Sequence, residues 1–244
     1  AAGVDRWPFN PYPRFQKMIE ERTGGRLILD SKVALFPPTQ VIQAVMDGRA
    51  DAGTETNAFV SGTFPLWDFG ALPFFFDNAF EYEAAITDPR MVELLDETYA
   101  EVGLIRLFDN FATAQNGVFA NKPIRTADDF KGLKIRTSGV IQTTTMELLG
   151  ASPLTIPIIE IAEAVSRGTA DAVATGASFG IGMGMADVTE YLNVWATTSS
   201  FGGMVLVNQD AWNELPADLQ QTVREVSREM QGQSTFGSFV DLTR

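Results

Sequence analysis

A nine-residue segment recurs in altered form 120 positions along the chain, as AVMDGRADA at residues 44–52 and AVSRGTADA at residues 164–172. Ala44, Val45, Gly48, Ala50, Asp51 and Ala52 match Ala164, Val165, Gly168, Ala170, Asp171 and Ala172, and Pro37 matches Pro157 at the same offset. An internal repeat constrains architecture more than any single motif does. Each copy reads as one unit: a helix opened by proline, with Val41, Ile42 and Val45, or Ile158, Ile161 and Val165, at helical spacing. Gly48 or Gly168 ends the helix, because glycine takes the left-handed backbone conformation without a Cβ clash. A short strand of small and β-branched residues follows, at 52–56 and 172–175. Such junctions occur throughout α/β proteins, but two of them this far apart predict two similar α/β lobes.

The rest of the chain fits that plan. Residues 15–22 read as an amphipathic helix closed by Gly24 and Gly25, and residues 26–29 as the start of a strand. Helical spacing at 81–86 and 91–102 stops at Gly103, and residues 104–108 and 117–121 read as strands around a polar turn. Thr126-Ala-Asp-Asp is a capping-box start for a short helix ending at Gly132. A strand at 133–136, a helix at 141–149 stopped by Gly150, a strand at 204–208 and a long helix from Pro216 towards Gly232 complete the pattern. Strands alternating with helices predict an α/β class with largely parallel pairing. The lobes are expected at residues 1–115, with 205–244 returning to the first and the late helix spanning both, and at 116–204. The chain should cross between them near 112–118 and 201–207, giving a hinge and a ligand cleft.

Composition excludes more than it assigns. The 244 residues suffice to bury a core, and 45% hydrophobic with 20% charged residues is ordinary for a folded protein. A net charge of −13 argues against a nucleic-acid partner, which requires clustered Lys and Arg. With no histidine and no cysteine, Ser–His and Cys–His nucleophiles and the common zinc sites are ruled out. Carboxylate or lysine chemistry remains open. No apolar run approaches the ~20 residues that span a bilayer, since the stretch at 69–76 is broken by Pro73. Asp128-Asp129 resembles a metal pair but sits where carboxylates cap helix amides, and Glu20-Glu21 reads as a solvated face. Gly180 to Gly184, GIGMG, lacks the lysine and spacing of phosphate loops and reads as a flexible turn.

Between residues 122 and 173 the motifs become specific. KPIRTADDFKGLKIRTSG, ELLGASPLTIP and EIAEAVSRGTADAV follow one another, with ALPFFF at 71–76 before them and ELPADLQ at 214–220 after. In this order they resemble the solute-binding proteins of TRAP transporters, the DctP-type receptors, over nearly the whole chain. The resemblance implies a two-lobed type II periplasmic-binding-protein fold with a hinge and an interlobe cleft. It also implies a periplasmic protein, not an enzyme, that delivers a small organic acid to membrane-embedded TRAP permease subunits. A monomer without cofactor is expected, and the residues from Ala1 read as no signal peptide, as expected of a mature or a cytosolic chain. Family members begin with a strand before the first helix and extend beyond the late one, which implies either a sequence incomplete at both ends, the favoured reading, or a shortened variant.

In that family the arginine ending GLKIR holds the ligand carboxylate, and the matching residue is Arg136. A guanidinium suits the task because its planar donors match a carboxylate and stay charged. Thr175 stands where the family often has asparagine, and Asn116 falls near a second arginine that some members use. That difference implies a ligand with one dominant anionic group. The first lobe offers Phe36, Pro37 and Pro38 from an apolar loop, then Thr56 and Asn57, while Phe201 would face the cleft from the hinge. The apolar loop suggests a monocarboxylate with a partly apolar body, such as a keto, hydroxy or aromatic acid. Trp7 and Trp195 are further candidates, each equally explained by packing. A sensor module, or an enzyme with a carboxylate or lysine acid–base pair, would use the same scaffold.

Overall fold

The computed structural model describes residues 11–32, 35–112, 116–194 and 202–231. In chain order the first elements are helix α1 (Tyr12–Arg22), helix α2 (Val41–Met46), strand β1 (Ala52–Thr56), helices α3 (Ala79–Thr87) and α4 (Pro89–Ala100), and strand β2 (Leu104–Ala112). Strands β3 (Asn116–Ala120) and β4 (Lys134–Arg136), helix α5 (Gly139–Leu148) and strand β5 (Ser152–Leu154) come next. Helix α6 (Ile161–Ser166), strand β6 (Ala172–Gly176), helix α7 (Ala177–Gly182) and strands β7 (Tyr191–Asn193) and β8 (Gly202–Asn208) follow, then helices α8 (Gln209–Glu214) and α9 (Ala217–Met230). Short 3-10 turns punctuate this order, notably at Pro38–Gln40, Asn57–Phe59, Pro65–Ala71 and Ile158–Glu160.

The sequence repeat is a structural repeat. Both copies run from a 3-10 turn through a six-residue helix, α2 or α6, into a strand, β1 or β6. Their C-caps carry the same bonds: Gly48 N to Val45 O at 3.1 Å and Gly168 N to Val165 O at 3.0 Å, then Arg49 N to Ala44 O and Thr169 N to Ala164 O, both at 2.9 Å. Gly48 and Gly168 adopt φ of +68° and +73°, the conformation that closes such a cap. The aspartates that follow then serve different pairings. Asp51 O accepts from Asn208 N in β8, whereas Asp171 clamps β4, its backbone N donating to Lys134 O and its Oδ2 accepting from Lys134 N.

Two sheets result. The first has the order β1-β8-β2, with β8 antiparallel to both neighbours. All of β8 is buried: Met204 and Leu206 meet Ile42, Val45, Trp67, Tyr82 and Tyr99, while Val205 and Val207 meet Phe15, Ile19, Val223 and Val226. A strand covered on both faces reads as an unbroken apolar run, as GGMVLV does. The second sheet has the order β5-β4-β6-β3-β7, and only β4 with β5 and β4 with β6 are parallel.

Largely parallel pairing is therefore not observed among the described strands. Helices α5 and α6 return the chain to make β4, β5 and β6 parallel, but strands arriving from the other sheet run the opposite way. For the same reason β2 and β3 are not partners around a turn; they belong to different sheets. No described strand forms at 26–29, where Arg26 pairs with Asp218 and Leu29 O accepts from Gln16 Nε2. Gly180–Gly182 is helical rather than a flexible turn, because a Cβ at Gly180 would lie 2.3 Å from the Phe119 ring and glycine lets α7 close on β3. Helix α9 packs on α1 and β2, and its buried residues join the core of the first sheet.

The chain passes between the sheets twice, between Ala112 and Asn116 and between Asn193 and Gly202. The second passage precedes the 201–207 expected, since β8 is paired in the first sheet along its whole length. A third connection is noncovalent. The start of α5 rests on the turn Asn57–Phe59, with Val140 N donating to Ser61 Oγ at 3.1 Å and Ser61 Oγ donating to Ala58 O at 2.8 Å.

Candidate functional site

Arg136 is the last residue of β4 and is 2% exposed. Its Nε donates to Ile156 O at 3.1 Å and its Nη1 to Ser138 Oγ at 3.2 Å. Arg22, Arg26, Arg49, Arg90, Arg106 and Arg167 each pair with a carboxylate. Arg136 has no such partner among the described residues. Burial pushes its guanidinium down to about 10, so it is charged at neutral pH. A buried cation without a counter-charge costs several kcal/mol, and an anion brought to it recovers that energy.

Ile156 O and Ser138 Oγ accept from Arg136, and Ser138 leads on to a donor without a partner among the described residues. Ser138 precedes α5 without capping it through its side chain, and Val140 N in the first turn donates to Ser61 Oγ. Gln142, 1% exposed, reaches back so that its Oε1 accepts from Ser138 N at 2.7 Å. That bond fixes the orientation of the amide, and its Nε2 has no hydrogen-bond partner among the described residues. Gln142 was not singled out from the sequence. Its signal was a polar residue between Gly139 and Met146, on the buried face of α5.

Thr175 and Asn116 lie at the same edge of the second sheet, near the end of β6 and the start of β3, where β4 also ends. Such carboxyl ends are where open α/β sheets bind ligands. Register puts Thr175 on the face of Arg136, since Arg136 pairs with Val173, while Asn116 pairs with Gly176 on the alternate face. Both are buried. From the first sheet, Thr56 ends β1 and Asn57 opens the turn on which α5 rests, so these two are brought opposite the helix start.

Asn57 is 3% exposed; its Nδ2 donates to Trp67 O at 2.6 Å, and its Oδ1 has no partner among the described residues. Asp68 follows Trp67, and burial pushes its carboxyl up to about 7. The contacts of Phe36 run elsewhere: Arg49 stands 5.2 Å from its ring centroid, and Pro38 is exposed. Trp7, Trp195 and Phe201 lie outside the described residues. Asp129 accepts from the backbone of Arg125 and Thr126, and Asp128 pairs with Lys131, so these carboxylates cap a turn. Among the described residues no acidic group is arranged to hold a metal, and no helix is long and apolar enough to cross a membrane.

Comparison with known proteins identifies the family and the fold. The chain matches the family described as bacterial extracellular solute-binding protein, family 7, over residues 9–238. It is similar to a monocarboxylate 2-oxoacid-binding periplasmic protein of Nostoc sp., at 28% identity over 218 residues, 87% of this chain and 59% of the relative. It is also similar to the C4-dicarboxylate-binding periplasmic protein of Rhodobacter capsulatus, at 26% identity over 226 residues, 88% of this chain and 65% of the relative. The chain therefore spans less than two thirds of the length of either. A TRAP periplasmic solute-binding protein from Pseudoalteromonas atlantica, solved with bound sodium and pyruvate, matches with a TM-score of 0.85 and 28% identity over 98% of this chain and 75% of that one.

Proposed function

The chain belongs to the bacterial extracellular solute-binding proteins of family 7, and from that premise we propose that it holds a small organic acid between its two sheets for a TRAP-type permease. The observation that carries this reading is Arg136, buried and charged with no carboxylate partner among the described residues. Gln142 Nε2 adds a donor beside it. Thr175 flanks the anion at the strand ends, Asn116 stands at the same end of the sheet on its other face, and Thr56 and Asn57 supply the opposite wall. Asparagine rather than a cation at position 116 fits a ligand with one dominant carboxylate.

The lobes are proposed as residues 1–115 with 205–244, and 116–204, with the remark that β8 already belongs to the first sheet from Gly202. Contact with both lobes at once would favour the closed arrangement, and the closed, loaded protein would be the form presented to the permease outside the cytoplasm. Binding without turnover is part of the proposal. Mass spectrometry of the acid released on denaturation identifies the ligand, and calorimetry with that acid tests the site. Replacing Arg136 with alanine should weaken binding by at least ~100-fold, as expected when one partner of a buried charge pair is lost. An unchanged affinity refutes the assignment.

A further inference from the structure

The two walls of the site differ in hydrogen-bond polarity. On the second-sheet side the donors are the Arg136 guanidinium and Gln142 Nε2. On the first-sheet side the open atoms are acceptors. Asn57 Oδ1 and Asp68 Oδ2 are buried with no hydrogen-bond partner among the described residues, in side chains 3% and 2% exposed. The orientation of Asn57 is fixed, because its Nδ2 is committed to Trp67 O. Asp68 is tied to it through the same peptide, as the residue that follows Trp67. It also breaks the 3-10 geometry of its segment, with φ −108° and ψ 21°.

The elements that carry these atoms pack against the helix that follows Arg136. The segment Pro65–Ala71 packs on both the turn Asn57–Phe59 and α5, so Asn57, Asp68 and Gln142 lie on three elements in mutual contact. Gly202, where the chain re-enters the first sheet, lies against the same group: a Cβ there would stand 3.0 Å from Asn57 Nδ2. Leaving two acceptors buried and unpaired costs ~1–3 kcal/mol each. A carboxylate satisfies the donor wall and does nothing for the acceptor wall.

We infer that the site selects organic acids that carry a hydrogen-bond donor outside the carboxylate, a hydroxyl or N–H, with Asn57 and Asp68 as its acceptors. This rests on the carboxylate reading of Arg136 and specifies the rest of the ligand. A keto acid offers only acceptors to that wall, and a deoxy acid offers nothing. A site built around such a bond rejects the analogue that lacks it, because the protein's own polar atoms stay unpaired.

The test is calorimetry with matched hydroxy, amino, keto and deoxy monocarboxylates of two to six carbons, at pH 8, above the value to which burial pushes Asp68. At one chain length or more, the hydroxy or amino acid should bind at least ~10-fold tighter than its keto and deoxy partners. Asp68→Asn should remove most of that preference, bringing the hydroxy or amino acid to within ~3-fold of its deoxy partner. The comparison on the unaltered protein needs no variant, so a poorly folding substitution does not block it. Keto, deoxy and hydroxy acids binding within ~3-fold of one another overturns the inference while leaving the carboxylate reading intact. Equal weakening of all four classes by Asp68→Asn also overturns it, by showing a structural role only. A panel in which no acid binds, or in which Arg136→Ala leaves affinity unchanged, overturns the carboxylate reading and this inference together.

Discussion

Gly139 joins the two sheets because it has no side chain. It opens α5 with φ +75°, and a Cβ at that position would lie 2.7 Å from Ala58 O and 2.9 Å from Ala58 Cβ. Backbone from the second sheet can therefore rest directly on backbone from the first, and Val140 N reaches Ser61 Oγ. The same first turn carries Gln142 and follows Arg136, so contact between the sheets and the donor wall are one local structure. Gly139→Ala adds both left-handed strain, about 1–2 kcal/mol, and a clash that only separation of the walls relieves. Binding of the co-purifying acid should weaken by ~10-fold or more, while the melting temperature of the unliganded protein falls by only a few degrees. Calorimetry and thermal unfolding read the two effects separately. A large loss of melting temperature with unchanged affinity would make Gly139 a folding residue alone.

At the scale of elements, the repeated helix–glycine–strand unit offers an internal control. Gly48 and Gly168 close equivalent caps, and a Cβ at Gly168 meets nothing within 4 Å while one at Gly48 meets only Asn208 Nδ2 at 4.0 Å. Each glycine-to-alanine change therefore exposes backbone strain almost free of packing, and each should cost about 1–2 kcal/mol in urea unfolding. Costs differing by more than about 1 kcal/mol would deny that the caps are equivalent. Caps and periodicity are also what made the elements legible: helices α1, α2, α4, α5 and α6 were placed from their glycine stops and apolar spacing. Strand direction was not legible, because alternation of helix and strand does not say which sheet a strand enters. Arg136 could be found because a long motif surrounds it, whereas Gln142 and Asp68 have no motif. Their interest lies in burial without a partner, which depends on how α5, the turn at Asn57 and the segment at Trp67 pack together. Phe36 shows the converse, an aromatic suited to a ligand wall whose contact runs to Arg49.

For the whole molecule, the acceptor wall has a consequence for stability against pH. Burial pushes Asp68 from 3.8 up to about 7, and pushes the half-buried Glu55 from 4.5 up to about 7 against the weaker opposing bond from Thr56 N. Both folded-state values exceed the unfolded ones, so between about pH 4 and pH 7 the folded protein keeps protons that the unfolded chain releases. Stability then falls as pH rises through that window, by up to ~1.4 kcal/mol per pH unit for each proton retained. The carboxylates lowered by arginine or backbone partners, Asp88, Asp129, Asp218 and Glu229, lie at the surface and act the other way, but only on acidification near and below their ordinary range. The net charge of −13 adds self-repulsion of the same sign as the buried acids, and salt screens it. The unliganded protein should therefore melt roughly 5–10 °C higher at pH 5 than at pH 8 in 0.5 M salt. Asp68→Asn and Glu55→Gln should each reduce that dependence by removing one titration, while Asp109, whose carboxyl burial pushes from 3.8 up to about 6 against the Arg106 partner, retains a third. A melting temperature that is flat or rising from pH 5 to pH 8 would mean that Asp68 is already ionised in the folded protein. Its Oδ2 would then have found a donor within the chain, and the acceptor wall would have nothing left to offer a ligand.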